Sequence, residues 1–426
     1  QLLIPVEMDK EEVANLLRLA EPLEDLVRNV GMHAGGVLIA PGELTDFCPL
    51  YKAPGTDGEE GIISMFDKDD IEQLGLVKFD FLGLRNLTIL DMAVREINKL
   101  YPTKCLQLED LNEFSDSRTY DLLKSANTTA VFQLESEGMK RYLLKLQPDF
   151  FEDIIAMLAL YRPGPLNSGM VDDFIKRKQG VQKIDYFHDD LKECLSPTYG
   201  VIVYQEQVMQ IAQIIAGYSL GNADILRRAM GKKKPEEMAK QRSVFEEGAA
   251  AKGIDPILAI KIFDLVEKFA GYGFNKSHAV SYSIISYQCA WLCNYYNVEW
   301  VASFLDKEPE TRKEKAIGIA KQFGFEIEPL NINTSGRVWE ISQDGKRLIQ
   351  PLTSIKGLGD SAIDQVFIGR PFQSIEDFIF NEEMRYSKLN KKSLDVLVRS
   401  GTLSPLMDNR FTGLKHFWSA VAVDRP

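Results

Sequence analysis

A long stretch of helical periodicity, from residue 86 to about residue 325, constrains the fold more than any other feature. At its start, apolar residues recur at intervals of three or four: Leu87, Leu90, Val94 and Ile97. Such spacing places them on one face of a helix. Strand-like segments precede this stretch, and a mixed strand segment returns near residues 326–352 before shorter helices. We therefore predict an α+β fold that is mostly α, with a small mixed α/β part, a large helical domain and a small helical tail.

The composition is that of a globular protein. A chain of 426 residues is too long for one ordinary core, so several domains are expected. No apolar run approaches the roughly 20 residues of a membrane span, so we expect no membrane partner. The five cysteines lack paired spacing, which favours a reducing, cytoplasmic location over a disulfide framework. The chain opens at Gln1 without a methionine, and we expect it to be a piece of a longer protein.

The net charge of −12 argues against a nonspecific nucleic-acid coat, but the charges are unevenly distributed. Acidic residues dominate residues 43–72, whereas seven bases lie within residues 226–242: Arg227, Arg228, Lys232, Lys233, Lys234, Lys240 and Arg242. A phosphate group responds mainly to the nearest charges, because salt screens charges beyond about 8–10 Å. A nucleic-acid partner therefore remains open, through a local basic patch.

The segment "LVKFDFLGLRNL" places two charges within an apolar run. If it is a strand, Val77, Phe79 and Phe81 point one way and form a core face. Lys78 and Asp80 then share the opposite face, roughly 7 Å apart along the strand. We interpret the polar segment before it, which includes "DKDD", as a hairpin.

Two interpretations of Asp80 stay open at this point. The first is a salt bridge with a partner such as Lys78, since charges in strands usually pair. The second is a metal-binding carboxylate, with Lys78 beside it to hold an anionic ligand. One aspartate cannot form a two-metal site alone, so the second interpretation requires further carboxylates from elsewhere.

Two other stretches suit phosphate. In "LRRAMGKKKPEE", Arg227, Arg228 and Lys232–Lys234 form either a solvated helix end or a phosphate clamp. In "FAGYGFNKSHAVSY", Ser277 or Asn275 is a good N-cap for the apolar helix that follows. Free N–H groups at that helix start, beside Lys276, would suit a phosphate, and His278 either takes part or packs. Cys289 and Cys293, one turn apart further along, are predicted core residues.

Two proline- or glycine-rich turns are the remaining candidate functional segments. Arg162 precedes the stiff "PGP" of "YRPGPLNSG", which either fixes the direction of the arginine or forms a structural kink. The segment "SIKGLGDSAI" has the shape of a helix-hairpin-helix turn, in which Gly357 and Gly359, next to Lys356, would let backbone N–H groups approach a phosphate. A Gly-x-Gly turn alone is weak support for DNA binding.

Taken together and in order, these stretches resemble the α subunits of bacterial DNA polymerase III, the C-family replicative polymerases. The resemblance runs essentially from end to end, through "HAGGVLIAP", "VKFDFLGLRNLTI", "TTAVFQLES", "YRPGPLNSGMVDDFI", "PTYGVIVYQEQVMQIAQ", "LRRAMGKKKPEEMAKQR" and "FAGYGFNKSHAVSY".

The resemblance implies roles for the strand charges. Asp80 matches the third of three catalytic, metal-binding aspartates, and Lys78 matches the palm lysine near the phosphates of the incoming nucleotide. The family's other two aspartates belong to an Asp-x-Asp motif, and we find no such motif in the family's surroundings here. The resemblance further implies that residues 1–32 finish the thumb, 33–85 finish the palm, 86–350 form the fingers and 351–426 form the helix-hairpin-helix region.

For the remaining residues the resemblance implies binding roles. Arg162, Arg227, Arg228 and the turn Asn275, Lys276, Ser277 and His278 would line the nucleotide pocket. Lys232, Lys233, Lys234, Lys356, Gly357 and Gly359 would contact DNA. The reaction would be attack of a primer 3′-hydroxyl on the α-phosphate of a dNTP, with two Mg²⁺ ions. Primer-template DNA, and in the intact enzyme a sliding clamp, a proofreading exonuclease and a clamp-loader subunit, are the implied partners.

Two alternatives remain. The chain by itself could be a binding fragment that holds DNA or nucleotide without catalysis, since two of the three expected aspartates are absent. A metal-dependent nuclease or nucleotidyltransferase outside DNA replication is the other alternative.

Overall fold

The computed structural model describes residues 11–24, 26, 31–33, 35–52, 61–232, 235–309, 312–342, 344–385, 387–407 and 417–418. The chain divides into two compact units, Gln1–Leu84 and Arg85–Pro426. Helices predominate, and the strands form three small sheets among the described residues. The predicted fold class, α+β and mostly α, is confirmed.

The first unit carries two helices and four short strands in its described residues: α1 (Glu11–Ala20), β1 (Gly36–Ile39), β2 (Leu50–Lys52), β3 (Ile62–Ser64), α2 (Lys68–Gln73) and β4 (Val77–Asp80). Strand β1 pairs antiparallel with β4, and β2 pairs antiparallel with β3. The β2–β3 pair confirms the predicted hairpin before β4, but the prediction that "DKDD" belongs to it is wrong, because Asp67 caps a helix there. The Asp67 side chain accepts from the backbone N–H groups of Asp69 and Asp70.

The strand β4 is present as predicted, but its core lies on the opposite face. Val77, Phe79 and Phe81 are 51%, 48% and 69% exposed, so the prediction that they form a core face is wrong. The small core of this unit gathers around Cys48, Ile71 and Leu76, with Leu38, Ala40, Leu44, Phe47 and Leu50 packed against it. A two-stranded ribbon can bury one face under a single helix and turn, and that face is the one that Lys78 shares with Leu76.

The second unit begins with fourteen helices in its described residues: α3 (Arg85–Leu100), α4 (Ser117–Lys124), α5 (Glu137–Leu146), α6 (Phe151–Leu160), α7 (Pro163–Asn167), α8 (Met170–Lys178), α9 (Lys192–Leu195), α10 (Gln205–Ala216), α11 (Leu220–Lys232), α12 (Pro235–Ala251), α13 (Pro256–Ala270), α14 (Lys276–Tyr295), α15 (Asn297–Lys307) and α16 (Lys313–Gln322). In the described part of this stretch the β pairing is the isolated bridge between Tyr204 and Phe274.

A small mixed sheet and three helices follow: β5 (Glu326–Glu328), β6 (Glu340–Ile341), β7 (Arg347–Ile349), α17 (Asp360–Gly369), α18 (Ile375–Ile379) and α19 (Lys391–Arg399). The strand order is β5-β7-β6, with β5 parallel and β6 antiparallel to β7. Short 3₁₀ turns connect several elements: Glu21–Leu23, Leu44–Asp46, Leu108–Leu111, Asp189–Leu191, Ser196–Thr198, Leu352–Ser354 and Ser404–Leu406.

Three packing regions organise the second unit. Helix α14 is central and packs against α3, α4, α6 and α15. It buries Cys289 and Cys293, which confirms their predicted place in the core. Helices α10 to α13 enclose a second cluster, where the rings of Phe245 and Phe263 meet edge to face at 5.3 Å. The sheet and helices after α16 surround a third cluster that includes Phe378.

Two further features follow from the described helices. In α3, which carries the predicted periodicity, Leu90 and Ile97 are fully buried, whereas Leu87 is exposed at the first turn.

Among the helices that the structure describes, none combines the length and the apolarity that a membrane crossing requires.

The contact between α10 and α12 gives a test of this packing. A Cβ at Gly248 of α12 would collide with the carbonyl oxygen of Ala216 at the end of α10, whereas a Cβ at Gly318 of α16 meets open space. We expect Gly248→Ala to lower the midpoint of thermal unfolding, since overpacking costs about 1–3 kcal/mol. We expect Gly318→Ala to raise the midpoint, because alanine favours a helix over glycine by about 0.5–1 kcal/mol. Equal stabilisation by both variants would contradict the close packing.

Candidate functional site

The charged pair of β4 is an exposed ion pair in the first unit. Nζ of Lys78 lies 2.8 Å from Oδ1 and 3.0 Å from Oδ2 of Asp80. The side chains of Lys78 and Asp80 are 26% and 56% exposed. The hydrogen bond from Lys78 holds the pKa of Asp80 below its ordinary value, so this carboxylate is ionised at neutral pH. Lys78 and Asp80 thus form the salt bridge of the first interpretation, and the Asp80 carboxylate is still exposed to solvent.

Two glycines bring a histidine to this pair. Gly36 of β1 pairs with Asp80 of β4, and a Cβ at Gly36 would lie 3.0 Å from Nδ1 of His33 and 3.3 Å from Cε of Lys78. A Cβ at Gly35 would collide with the carbonyl oxygen of Phe81. The imidazole Nδ1 of His33 accepts from the N–H of Gly35 at 3.2 Å and lies 4.0 Å from Oδ1 of Asp80. A side chain at Gly35 would collide with the backbone, whereas at Gly36 it would crowd His33 and Lys78, and this close packing places His33 beside the carboxylate of Asp80.

The fit of this site to a divalent metal rests on its oxygen donors. Asp80 supplies one hard, ionised and accessible carboxylate, which is the type of ligand that Mg²⁺ prefers. In the part of the chain that the structure describes, no group of three or more His, Cys, Asp or Glu side chains gathers as a metal site would. The described residues thus fit one ligand of a metal centre.

In the second unit, Arg162 ties two distant segments together. Pro163 disfavours a helical backbone at Arg162, so α6 ends before it and Arg162 takes an extended conformation as the N-cap of α7. Its Nε donates to the carbonyl of Ala159 at 2.8 Å, and its Nη2 donates to the carbonyl of Tyr272 at 2.6 Å. Its guanidinium also lies 4.5 Å from the ring centre of Phe274. Arg162 therefore holds the turn that precedes α14.

The close packing of Tyr272 against the start of α7 depends on glycine at position 164. A Cβ at Gly164 would lie 2.6 and 2.7 Å from ring carbons of Tyr272, closer than a Cβ ever packs. Burial lowers the pKa of Arg162 from its ordinary value, but the guanidinium stays charged because that value is far above neutral pH. The "RPGP" segment is thus a helix start whose arginine and glycine both face the same distant turn.

Arg227 and Arg228 on α11 share one carboxylate. Asp224 lies 2.7 Å from Nη2 of Arg227 and 2.8 Å from Nε of Arg228. The hydrogen bond from Arg227 holds the pKa of Asp224 below its ordinary value. The Arg227 side chain is 28% exposed and the Arg228 side chain is 68% exposed. Arg228 is therefore the more accessible cation of the two.

Gln205 connects Arg227 to the turn that Arg162 holds. Its side-chain Oε1 accepts from Nη1 of Arg227 at 3.3 Å, and its Nε2 donates to the carbonyl of Gly273 at 3.2 Å. The backbone N–H of Gln205 donates to the carbonyl of Phe274 at 2.9 Å. The structure thus brings Arg162, Arg227 and the turn before α14 into one hydrogen-bonded network, to which Arg228 is joined through Asp224.

The start of α14 differs from the sequence prediction. Asn275 is the N-cap, and its Oδ1 accepts from the N–H of His278 at 2.8 Å, as one of the two predicted caps. The prediction of free N–H groups is wrong at Lys276, whose N–H donates to Oε1 and Oε2 of Glu206 at 3.1 and 3.0 Å. Glu206 also accepts from Nδ2 of Asn275 at 3.1 Å. A carboxylate from α10 is stabilised by this positive helix end.

The side chains of the first turn of α14 face outward. Asn275, Lys276, Ser277 and His278 are all exposed. The imidazole of His278 lies 5.4 Å from the ring centre of Phe274 and 4.2 Å from that of Tyr282. Nζ of Lys276 lies 5.5 Å from the ring centre of Tyr204. This turn therefore presents a cation and a row of aromatic rings beside the arginine network.

Sequence reasoning missed the residues that join this network: Gln205, Glu206, Asp224 and Phe274. Only Asp224 carried a local signal, because its three- and four-residue spacing to Arg227 and Arg228 is that of helical ion pairs. Gln205 and Glu206 contact residues 68 to 70 positions away, which one sequence does not indicate.

The predicted DNA-contacting turn lies between the 3₁₀ turn Leu352–Ser354 and α17. Gly357 has a φ of +91°, in the left-handed region, and Gly359 is the N-cap of α17. The exposed Lys356 precedes them, and Cε of Lys392 lies 3.7 Å from an ideal Cβ at Gly357. Lys392 is a second lysine at this turn that the sequence did not predict.

The lysine run after α11 falls largely outside the described residues. The backbone of Lys232 ends α11, but its side chain, and all of Lys233 and Lys234, lie outside them. Their predicted DNA contacts therefore remain a prediction.

Comparisons with known proteins give the chain's relationships. A family described as the bacterial DNA polymerase III alpha subunit finger domain matches residues 86–253. One described as the bacterial DNA polymerase III alpha NTPase domain matches residues 3–83, and a helix-hairpin-helix motif family matches residues 324–413.

Individual relatives carry the name DNA polymerase III subunit alpha. The Pseudomonas fluorescens protein is 48% identical over 416 residues, covering 93% of this chain and 34% of that protein. The Escherichia coli K12 protein is 48% identical over 416 residues, covering 94% of this chain and 35% of that protein. The Pseudomonas aeruginosa protein is 47% identical over 428 residues, covering 97% of this chain and 36% of that protein. The chain thus spans about a third of the length of the curated relatives it matches.

The hydrogen bonds from Arg162 to the carbonyls of Ala159 and Tyr272, here called the Arg162 tie, give a second prediction. Arg162→Lys replaces a guanidinium, which bonds two carbonyls in different directions, with one ammonium that cannot reach both. We expect faster amide hydrogen exchange at Phe274, whose N–H donates to the carbonyl of Val203. The loss of a bond to a charged donor predicts destabilisation of about 1.5–3 kcal/mol. The matched control is Arg141→Lys, because exposed Arg141 bonds locally, to the carbonyl of Glu137 in α5. Equal exchange rates in both variants would rule out the tie.

Proposed function

Because the chain belongs to the family of bacterial DNA polymerase III α subunits, we propose that the protein carrying it is a replicative DNA-directed DNA polymerase. The reaction is template-directed, 5′-to-3′ addition of dNMP from a dNTP to a primer 3′-hydroxyl, with release of pyrophosphate. The cytoplasm is the proposed location. The clamp, exonuclease and clamp-loader partners and the thumb, palm, fingers and helix-hairpin-helix boundaries are part of this proposal through the family alone.

The observation that carries the proposal is the network of Arg162, Arg227 and Arg228 around the turn before α14. A triphosphate carries several negative charges, and guanidinium groups bind phosphate oxygens in a bidentate way. Arg228 and Lys276 extend from this network into solvent, where a phosphate group would reach them. The half-buried Arg162 donates to the carbonyl groups of Ala159 and Tyr272, so we propose that it positions the turn rather than binding phosphate itself.

Glu206 determines which groups contact the phosphates. Its carboxylate already accepts from the N–H of Lys276. An anion at the start of α14 therefore meets a negative charge at the amide and positive charge at the Lys276 ammonium. We propose that the nucleotide is bound through the side chains of Lys276 and Arg228, with His278 and Ser277 exposed beside them.

Asp80 and Lys78 are the proposed catalytic residues of the first unit. Asp80 would be one ligand of the Mg²⁺ ions, together with carboxylates from outside this chain. When bound, Mg²⁺ would stabilise negative charge on the attacking and leaving oxygens. Lys78 neutralises Asp80 at 2.8 Å and would offer the same ammonium to a phosphate oxygen.

A second candidate function concerns the 426 residues by themselves. We propose that they bind DNA and nucleotide but do not extend a primer, because Asp80 is one carboxylate and the described residues gather no metal-binding group of three. Metal-dependent primer extension by the purified chain would decide against this candidate.

The third prediction separates catalysis from folding. In the complete gene product that carries this sequence, Asp80→Asn should lower kcat by several orders of magnitude, because the charge that a hard cation requires is lost. The midpoint of thermal unfolding and the DNA affinity should change little, since Asp80 is exposed. The matched variant Asp67→Ala removes the cap of α2 and should do the reverse, with a loss of about 1 kcal/mol in stability and normal turnover.

The measurements are kcat, unfolding midpoint and DNA affinity on one preparation of each protein. An Asp80→Asn variant that unfolds early and polymerises at a near-normal rate would show that Asp80 is only a structural ion pair.

The fourth prediction concerns sequence-independent DNA binding at the Gly357 turn. Replacing Lys356 and Lys392 by Ala should flatten the slope of log K against log salt concentration by about 0.9 for each phosphate that these lysines neutralise. The control is Lys99→Ala, an exposed lysine paired with Glu96 on α3, which should leave the slope unchanged. The same titration on a Lys232, Lys233 and Lys234 triple-alanine variant tests the second basic stretch. Unchanged slopes in these variants would assign the lysines to solvated surface.

A further inference from the structure

Glu206 lies at the starts of two helices at once. It is in the first turn of α10, and its carboxylate contacts the first residue of α14. Oε1 and Oε2 of Glu206 accept from the N–H of Lys276 at 3.1 and 3.0 Å, and Oε1 also accepts from Nδ2 of Asn275 at 3.1 Å. A helix start favours a negative charge, because its N–H groups and its dipole point toward it. The carboxylate of Glu206 therefore occupies the position that the start of α14 offers to an anion.

The hydrogen bonds of Glu206 can be separated from its charge. Oε1 accepts from both Lys276 and Asn275, so a carboxamide oxygen in the same place could accept both bonds. Asn275 itself caps α14 by accepting from the N–H of His278 at 2.8 Å. The hydrogen bonding at this helix start therefore does not require a negative charge at position 206.

This negative charge lies close to a cation of the proposed nucleotide site. Glu206 contacts the backbone of Lys276, and Nζ of Lys276 lies 5.5 Å from the ring centre of Tyr204, two residues before Glu206. Lys276 is exposed and Glu206 is half-buried. A phosphate group held by the Lys276 ammonium is therefore separated from the carboxylate by little more than the length of that side chain. Because salt screens charges mainly beyond about 8–10 Å, the carboxylate repels such a phosphate group.

We propose that Glu206 sets the affinity of this site for phosphate groups and thereby promotes the release of pyrophosphate after each addition. This inference rests on the proposed function, in which Lys276 and Arg228 bind the triphosphate. The repulsion acts on substrate and product alike, since both are bound through phosphate groups. A dNTP also pairs with a template base, whereas pyrophosphate has its phosphate contacts alone. The same repulsion therefore leaves the substrate bound and lets the product leave.

The test replaces Glu206 by glutamine in the complete gene product that carries this sequence. Glu206→Gln keeps an acceptor for Lys276 and Asn275 but removes the charge. Pyrophosphate should then inhibit more strongly, with an inhibition constant lowered by about threefold or more, the scale that Coulomb's law gives for one charge in partly solvated surroundings. The KM for dNTP should fall as well. Steady-state primer extension with added pyrophosphate measures both constants.

Two further variants identify the charge as the cause. Glu206→Asp keeps the charge on a shorter side chain, so it should not strengthen the inhibition by pyrophosphate. Glu137→Gln removes a charge from the first turn of α5, where Glu137 is exposed and outside the arginine network, and neither constant should change. A gain in affinity limited to Glu206→Gln separates repulsion from damage to the fold, because a lost structural contact would weaken binding.

Failure of this proposal and failure of the proposed function give different results. Lys276→Ala and Arg228→Ala test the nucleotide site itself and should weaken the inhibition by pyrophosphate. If neither variant changes the inhibition, phosphate binding at this site is wrong, and the inference fails with it. If both variants weaken it while Glu206→Gln leaves it unchanged or weaker, Glu206 has no such role although the site stands. A Glu206→Gln variant that does not fold would show that the charge itself holds α10 to α14, and would also overturn the proposal.

Discussion

The bond from the Arg162 guanidinium to the Tyr272 carbonyl is the contact on which the candidate site of the second unit depends. It joins the end of α6 to the turn before α14, 110 residues further along the chain. The carbonyl of Phe274 in this turn accepts from the N–H of Gln205, and the Gln205 side chain accepts from Arg227. This bond adds a link from α6 to the contacts by which Gln205 and Glu206 of α10 already hold the first turn of α14 near Arg227.

A buried ion cluster supports helix α6, which ends two residues before Arg162. At the start of α6, Asp153 is 2% exposed and accepts from the Tyr199 hydroxyl and from the N–H groups of Asp149 and Phe150. Lys178 of α8 lies 3.4 Å from Asp153 and 2.6 Å from Asp149. Removing one partner of a buried pair leaves an uncompensated charge and costs about 3–5 kcal/mol. The position of α6, and hence of Arg162, is therefore held at one end by charge and at the other by the tie.

Features that depend on neighbours in sequence could be predicted, and features that depend on distant partners could not. The α3 periodicity, the Asn275 cap, the buried Cys289 and Cys293 and the Gly357 turn follow from local spacing and backbone geometry. The face of β4 was assigned wrongly because alternation shows two faces but not which of them an outside element covers. Glu206 at the start of α14 was missed because its partner lies 70 residues away, and nothing in either segment specifies the pairing.

The acidic total charge and the proposed phosphate chemistry are compatible because cationic groups of the second-unit site lie next to carboxylates. Arg227 and Arg228 share Asp224, and the helix end at Lys276 is paired with Glu206. These pairs keep the side chains ordered and limit repulsion between neighbouring cations. An incoming anion must then compete with fixed carboxylates, which disfavours ligands of single charge. A triphosphate, with several charges on one molecule, gains most from several partly neutralised cations held in a fixed arrangement. The same pairing that reduces the positive charge of the free site therefore favours a polyanion over a simple anion.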